Sequence, residues 1–336
     1  MKKQFIGELH AGDRVNSRFA VVSKQLAPFS AKSSKGGQEY LKILLQDSSG
    51  TMEARLWEDA LAYDPLFQID DIIYVEGLVS QYNGLQLTIK HLEYVPPENI
   101  DISEFISSGP VNLSQLKQEL SNHIEAIENS QIRELLQRIF SGKLLAAFCI
   151  CPGGRSIHHA YLGGLLEHSL EVASLALHLC DLYALHPDLM VAGSLLHDIG
   201  KTMEYDLNSI SFQLTDRGKL HGHLILGRDI LLRYTGAINN FPPELEDELS
   251  HMLLSHHGQR DWGSPEVPKT LEAFALFHAD LLSARMNQAF NTFNSLQSPG
   301  KWSSWDRFLE RSFYHPQRNS YQTFHEEAAP AEDEIT

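Results

Sequence analysis

The sequence predicts a protein of two domain classes: an N-terminal five-stranded β-barrel followed by an all-α helical bundle. Three observations carry this. Residues 1–95 contain short apolar runs of period two, separated by turn residues. The stretch "PPENIDISEFISSGP" (96–110) is rich in Pro, Ser and acids and marks a linker over 96–112. Beyond it, apolar residues recur every three or four positions, the helical period. A chain of 336 residues, 43% hydrophobic and 21% charged, is long enough to fill two cores.

The first strand is "RFAVVSKQLA" (18–27), followed by the small, polar, locally basic loop "PFSAKSSKGGQ" (28–38). "YLKILLQD" (40–47) and "TMEARLWE" (51–58) follow, split by a Ser-Ser-Gly turn. "DIIYVEGLVSQYNGLQLTIKHLEYV" (71–95) supplies two more strands around Asn83-Gly84, a strong hairpin signal. Short strands with a long loop after the first suggest a small closed barrel. The segment from the loop through "YLKILLQDSSGTMEARLW" resembles an OB-fold of the nucleic-acid-binding type. The resemblance implies a single strand lying across the second and third strands, its bases on aromatic rings and its phosphates near loop lysines. Phe29, Lys32, Lys35, Arg55, Trp57 and Tyr82 are the candidates. Packing in the core or hairpin is the other reading of the aromatics, and a solvated loop that of the lysines.

From residue 113 the helical stretches are "LSQLKQELSNHIEAI", "IRELLQRIFSG", and runs around 159–182, 188–198, 219–235, 243–256 and 267–294. They predict at least six helices over 113–318, and the acid-rich residues 319–336 read as a disordered tail. No apolar run reaches the ~18 residues of a membrane span. "MKKQFIGELHAGD" is broken by Glu8 and Asp13 and does not read as a signal peptide. Three cysteines without zinc-ribbon spacing suggest free thiols in a reducing cytoplasm. The net charge of -16 opposes polyanion binding, but residues 1–95 carry only -2 of it.

Of 17 histidines, 12 lie between His158 and His278. "SLLHDIGK" (194–201) places His197 and Asp198 side by side at the end of an apolar helix. The plain reading is a helix C-terminus, with Gly200 as a left-handed cap and Lys201 favouring the negative end of the dipole. The sharper reading is that both residues hold a metal ion at the mouth of a pocket. Around them stand His168, His223 in "HGHLILG", His256-His257 in "LSHHG" and Asp280 in "FHADLLSARM", all flanked by apolar residues. Burying seven such groups without partners would cost several kcal/mol in sum, which a shared divalent ion offsets. His221 and His278 are displaced from their neighbours by helical geometry and are set aside.

The order H…HD…H…HH…D resembles the HD-domain metal-dependent phosphohydrolases over about residues 150–290. That resemblance implies His168, His197, Asp198 and Asp280 as ligands of a first metal. It implies His223, His256 and His257 as ligands of a second metal or of the substrate phosphate. Imidazole and carboxylate suit one or two divalent ions, among them Mn²⁺, Fe²⁺, Co²⁺, Zn²⁺ and Mg²⁺. Such ions lower the pKa of bound water, so that hydroxide attacks a phosphodiester in line. Asp198 is then catalytic as well as a ligand, and Lys201 stabilises phosphate charge. His159, with His158 and Arg155, precedes the first ligand helix and could contact the scissile phosphate; an ordinary helix N-terminus is the other reading.

The whole order resembles the YhaM-like 3′–5′ exoribonucleases, carried by "GRSIHHAYLGGLLEHSLEVA", "LLHDIGK", "LSHHGQRDWGSPEVP", "FHADLLSARM" and "RSFYHP". It implies a cytoplasmic, metal-dependent hydrolase, with Mn²⁺ first among its ions, that shortens single-stranded RNA, and sometimes DNA, from the 3′ end. Assembly into a homo-oligomer is left open. Two other readings also stay open. One is a nucleotide or cyclic-dinucleotide phosphohydrolase regulated by the barrel, although no GYP triplet follows "HHG"; the other is a non-catalytic RNA-binding protein.

Overall fold

The computed structural model describes residues 4–29, 37–81, 84–96, 100–101, 104–106, 112–154, 161–207, 209–210, 212–294 and 301–314. They form two compact units, one of residues 1–108 with 206–213 and one of 109–205 with 214–336.

The first unit is a closed barrel of β1 (Arg14–Pro28), β2 (Glu39–Asp47), β3 (Gly50–Leu56), β4 (Ile72–Gln81) and β5 (Leu85–Val95), in the order β1-β2-β3-β5-β4. All neighbours are antiparallel except β3 and β5. Closure leaves no long edge exposed to another chain. β1 starts four residues before the predicted strand. Its first half pairs with β4 and its second with β2, and a register shift between Val21 and Ser23 lets one strand serve both. Alternate residues turn inward, so Val15, Phe19, Leu41, Ile43, Leu45, Ala54, Leu56, Ile73, Val75, Leu87 and Ile89 fill the interior. Ser17, Asp47 and Gln86 are polar residues buried among them. Asp47 is fully buried, and its carboxylate accepts from Ile6 N at 2.8 Å, Ser49 N at 2.9 Å and Ser49 Oγ at 2.5 Å. Those bonds offset its desolvation and fix the β2–β3 turn. The predicted hairpin is present, with Gln81 opposite Leu85. A short helix, α1 (Ala60–Tyr63), connects β3 to β4.

The second unit is helical: α2 (Leu113–Ala126), α3 (Ser130–Ile139), α4 (Gly142–Ile150), α5 (Gly164–Leu182), α6 (Pro187–Leu196), α7 (Lys201–Glu204), α8 (Asp216–Thr235), α9 (Pro243–Ser255) and α10 (Leu271–Asn294). Side chains satisfy the orphan N–H groups at several starts. Asn129 Oδ1 accepts from Gln131 N at 2.9 Å and Ile132 N at 3.1 Å, and Thr215 Oγ1 accepts from Gly218 N at 2.9 Å. Leu165, Leu170 and Ala173 of α5, Leu195 and Leu196 of α6, Leu249 and Leu253 of α9, and Leu276 of α10 are buried in its core. No described helix is long and apolar enough to cross a membrane.

The cap expected at Gly200 is absent. Gly200 has φ -61° and ψ -21°, right-handed helical values that any residue adopts. The chain passes from α6 to α7 through tight turns in which Ile199 N donates to Leu196 O and Lys201 N to Asp198 O. Glycine is required there for closeness: a Cβ on Gly200 would stand 1.9 Å from His223 O and 2.5 Å from Gly227 N of α8.

Candidate functional site

Five helices of the second unit and the turn before α7 deliver the predicted ligands to one place. His168 sits on α5, His197 caps α6, Asp198 occupies the turn before α7, and His256-His257 end α9. Asp280 lies on α10. His223 reaches the site because α8 is broken just before it. Gly222 has φ 70° and ψ 161°, which a side-chain-bearing residue would strain to adopt. The His223 N–H freed by this break donates to Glu204 Oε1 of α7 at 3.0 Å.

The imidazole Nε2 atoms converge. His168 and His197 Nε2 are 3.2 Å apart, as are those of His223 and His257. Asp280 Oδ1 is 3.0 Å from His168 Nε2 and 3.8 Å from His197 Nε2. Asp198 lies between the two groups. Its Oδ2 is 3.4 Å from His197 Nε2 and 3.8 Å from His168 Nε2, while its Oδ1 is 3.4 Å from His223 Nε2 and 3.6 Å from His256 Nε2. That Oδ1 is buried with no hydrogen-bond partner, a costly state for a carboxylate oxygen unless a cation meets it.

Every ring is fastened from behind at Nδ1. His197 Nδ1 is 2.7 Å from Ser194 O, His256 Nδ1 is 2.8 Å from Leu253 O, and His257 Nδ1 is 3.1 Å from Trp262 O. A carbonyl only accepts, so these Nδ1 atoms carry protons and each neutral ring keeps its Nε2 lone pair for the site. His223 Nδ1 faces Glu204 Oε1 at 3.2 Å, and His168 Nδ1 faces Ser283 Oγ at 3.1 Å. Among the described residues, three groups of side chains are close enough to hold an ion: His168-His197-Asp280, His197-Asp198-His256 and His223-His256-His257.

Burial would lower His197, but the Asp198 carboxylate beside it raises it above the usual imidazole value. Burial holds His256 and His257 below the usual imidazole value. For His257 the neighbouring His256 and His223 add to the effect and bring it to about 4, so its lone pair is available at neutral pH. Burial would raise the Asp198 carboxyl, but the Lys201 cation and His197 hold it well below the usual carboxylate range. Lys201 Nζ donates to Asp198 Oδ2 at 2.6 Å and to Gly153 O. A cavity of about 260 Å³ opens onto His168, Asp198, Lys201, His256, His257 and Asp280, walled by Trp262 and Phe277.

All seven predicted ligands and Lys201 therefore lie together. His159, His158 and Arg155 fall outside the described residues. His221 is exposed and the His278 ring packs on Phe274 and Phe277, consistent with setting both aside. Sequence reading missed Glu204, Ser283 and Glu171. The last two sit three residues after a ligand on the same helix, a spacing that puts them on the ligand's face.

On the barrel, three of the six predicted nucleic-acid residues come together. Phe29 and Trp57 have ring centroids 5.6 Å apart, and the Arg55 guanidinium lies 5.3 Å from the Trp57 ring. Tyr40, unanticipated, completes the cluster at 4.6 Å from Trp57 and 5.3 Å from Phe29. Arg55 also donates to Glu53 Oε1 at 2.7 Å. Lys32, Lys35 and Tyr82 fall outside the described residues.

Comparison with known proteins agrees with both units. Residues 165–285 match the HD domain family, residues 21–96 the OB-fold nucleic acid binding domain family, and residues 111–204 a putative helicase family. The chain is 32% identical over 295 residues to the 3′-5′ exoribonuclease YhaM of Bacillus subtilis, covering 86% of this chain and 90% of that protein. It is 30% identical over 288 residues to YhaM of Listeria welshimeri, covering 83% and 90%. A solved OB-fold domain of replication protein A from Methanococcus maripaludis is 20% identical, covers 29% of this chain and 98% of its own, and gives a TM-score of 0.23. With its OB barrel, its HD-domain histidine–aspartate set and this identity across nearly the full length of both relatives, the chain belongs to the YhaM family of 3′–5′ exoribonucleases, a family of hydrolases.

Proposed function

We propose that this chain shortens single-stranded RNA from its 3′ end at the histidine–aspartate centre, using two divalent ions, Mn²⁺ first among them. The observation that carries this reading is the Asp198 carboxylate. One oxygen faces His168 and His197 and the other faces His223 and His256, so the carboxylate would be able to serve an ion on either side. His168, His197 and Asp280 would complete one ion's set, and His223, His256 and His257 the other's. The donors fit borderline divalent ions, since no thiolate takes part. When bound, such ions acidify water and neutralise phosphoryl oxygens.

The chain's own residues do the rest. Glu204, Ser283 and three backbone carbonyls hold the rings with Nε2 inward. Lys201 holds Asp198 at Oδ2 and brings a cation to the cavity wall, where a developing phosphate charge is stabilised. Trp262 and Phe277 give part of the cavity an apolar wall. On the barrel, Phe29, Tyr40 and Trp57 offer rings on which bases stack, and Arg55 offers a cation to the backbone. Lys32, Lys35, Tyr82 and His159 remain candidates for further contacts. The free thiols, Cys149, Cys151 and Cys180, suit a cytoplasmic setting.

The test is end-labelled single-stranded RNA incubated with the purified protein and Mn²⁺. Stepwise shortening from the 3′ end, lost in His197→Ala and Asp198→Ala, supports the reading. Release of phosphate from free nucleotides with intact RNA would overturn it.

A further inference from the structure

We propose that Ser283 and Glu171 form a relay that fixes the ring orientation and proton position of His168, and that ion affinity at this centre depends on it. The inference rests on the metal reading above. Two helices each supply a predicted ligand and, three residues later, a member of the relay: His168 and Glu171 on α5, Asp280 and Ser283 on α10. Ser283 is buried, and its single hydroxyl hydrogen goes to Glu171 Oε2 at 2.8 Å. An ionised carboxylate only accepts, so the serine's lone pairs are what it presents to His168 Nδ1 at 3.1 Å. Nδ1 is therefore the donor, and Nε2, beside Asp280 Oδ1 and His197 Nε2, is the atom left for an ion.

His168 differs here from His197, His256 and His257, whose Nδ1 partners are backbone carbonyls that no side-chain substitution removes. Its orientation rests on a hydroxyl, and the hydroxyl's on a carboxylate. Glu171 and Ser283 also border a second cavity of about 390 Å³, lined further by Leu175, Met286, Asn287 and Phe290. That opening spares the carboxylate the full cost of a buried charge. Glu171 and Ser283 are thus positioning residues, acting through His168.

The experiment measures Mn²⁺ affinity of the full chain by competition with a fluorescent chelator, and the absorption spectrum of the Co²⁺-loaded protein. Ser283→Ala is expected to weaken Mn²⁺ binding by about 10- to 100-fold and to alter the Co²⁺ bands. The melting temperature of its metal-free form should stay within about 3 °C of the parent. Ser283→Thr, which keeps the hydroxyl but adds a buried methyl, should recover most of the affinity; a purely structural role predicts the reverse. Glu171→Gln gives the same test without a cavity should Ser283→Ala fail to fold, with a loss of about tenfold expected. Ser283→Ala and Glu171→Gln that bind Mn²⁺ like the parent, or a threonine no better than alanine, would overturn the relay alone. A parent that binds no Mn²⁺ refutes the metal reading and the relay with it.

Discussion

Placing a methyl group on Gly200 should damage the centre although the residue touches no ligand atom. The Cβ of Gly200→Ala would lie 1.9 Å from His223 O, where ordinary contact begins at 3.4 Å, so α7 and α8 must part by about 1.5 Å. That carbonyl belongs to His223, whose Nε2 is 3.4 Å from Asp198 Oδ1 and 3.2 Å from His257 Nε2. A displacement close to half those separations takes one imidazole out of its group. Overpacking of this kind costs about 1–3 kcal/mol, and a 1 Å misplacement costs about 10²-fold in rate. Urea unfolding of the metal-free protein and Mn²⁺-dependent shortening of labelled RNA read the two effects. Gly200→Asn separates the explanations. Asparagine tolerates a left-handed cap better than alanine does, whereas close packing makes the larger side chain worse. An alanine variant with unchanged midpoint and rate, or an asparagine variant more stable than alanine, would refute the packing account.

Tyr40→Ala and Trp57→Ala should each weaken binding of single-stranded RNA by about 1–3 kcal/mol, read by fluorescence anisotropy in chelator; affinities within experimental error of the parent would remove the stacking role. Lys201→Met leaves Asp198 without its 2.6 Å partner. Loss of the cation should lower activity by about 10²-fold or more and cost about 3–5 kcal/mol of stability without metal. Added Mn²⁺ should recover much of that stability in a thermal melt, and a melt indifferent to Mn²⁺ counts against a shared cation at Asp198. Asn129→Ala removes the cap of α3 and should cost about 1 kcal/mol in urea unfolding, with RNA shortening at the parental rate.

Much of this architecture was legible because its signals are local. Period-two runs marked the strands from Leu41 onward, and Asn83-Gly84 marked the hairpin. The start of β1 was not legible. Its first residues, Arg14 to Ser17, alternate correctly, but the inward positions are Val15 and Ser17, and a buried serine does not read as apolar. α4 escaped because "GKLLAAFCI" is apolar throughout and lacks a helical stripe, and α7 because four residues carry no period. The candidate ligands were legible as an ordered set of rare residue types. Their supporters were not, since Glu204, Ser283 and Glu171 are common residues whose role comes from which helix lies opposite. Gly200 shows the limit most plainly: a glycine after a histidine–aspartate doublet reads as a helix stop, and only the neighbouring backbone reveals why no side chain fits.

The five rings held at Nδ1 have a consequence for how the centre is filled. Their orientation is settled by the protein's own hydrogen bonds, so an arriving ion need not recruit ligands from disorder, and its departure need not unravel the helices. Loading becomes a matter of dehydration and exchange, unlike in small zinc domains that fold only around their metal. A cage ready in advance also takes whichever borderline ion is on offer. Affinity alone would favour the later first-row metals over manganese, so on the two-ion reading proposed above the selection of manganese would come from metal supply rather than from the cage.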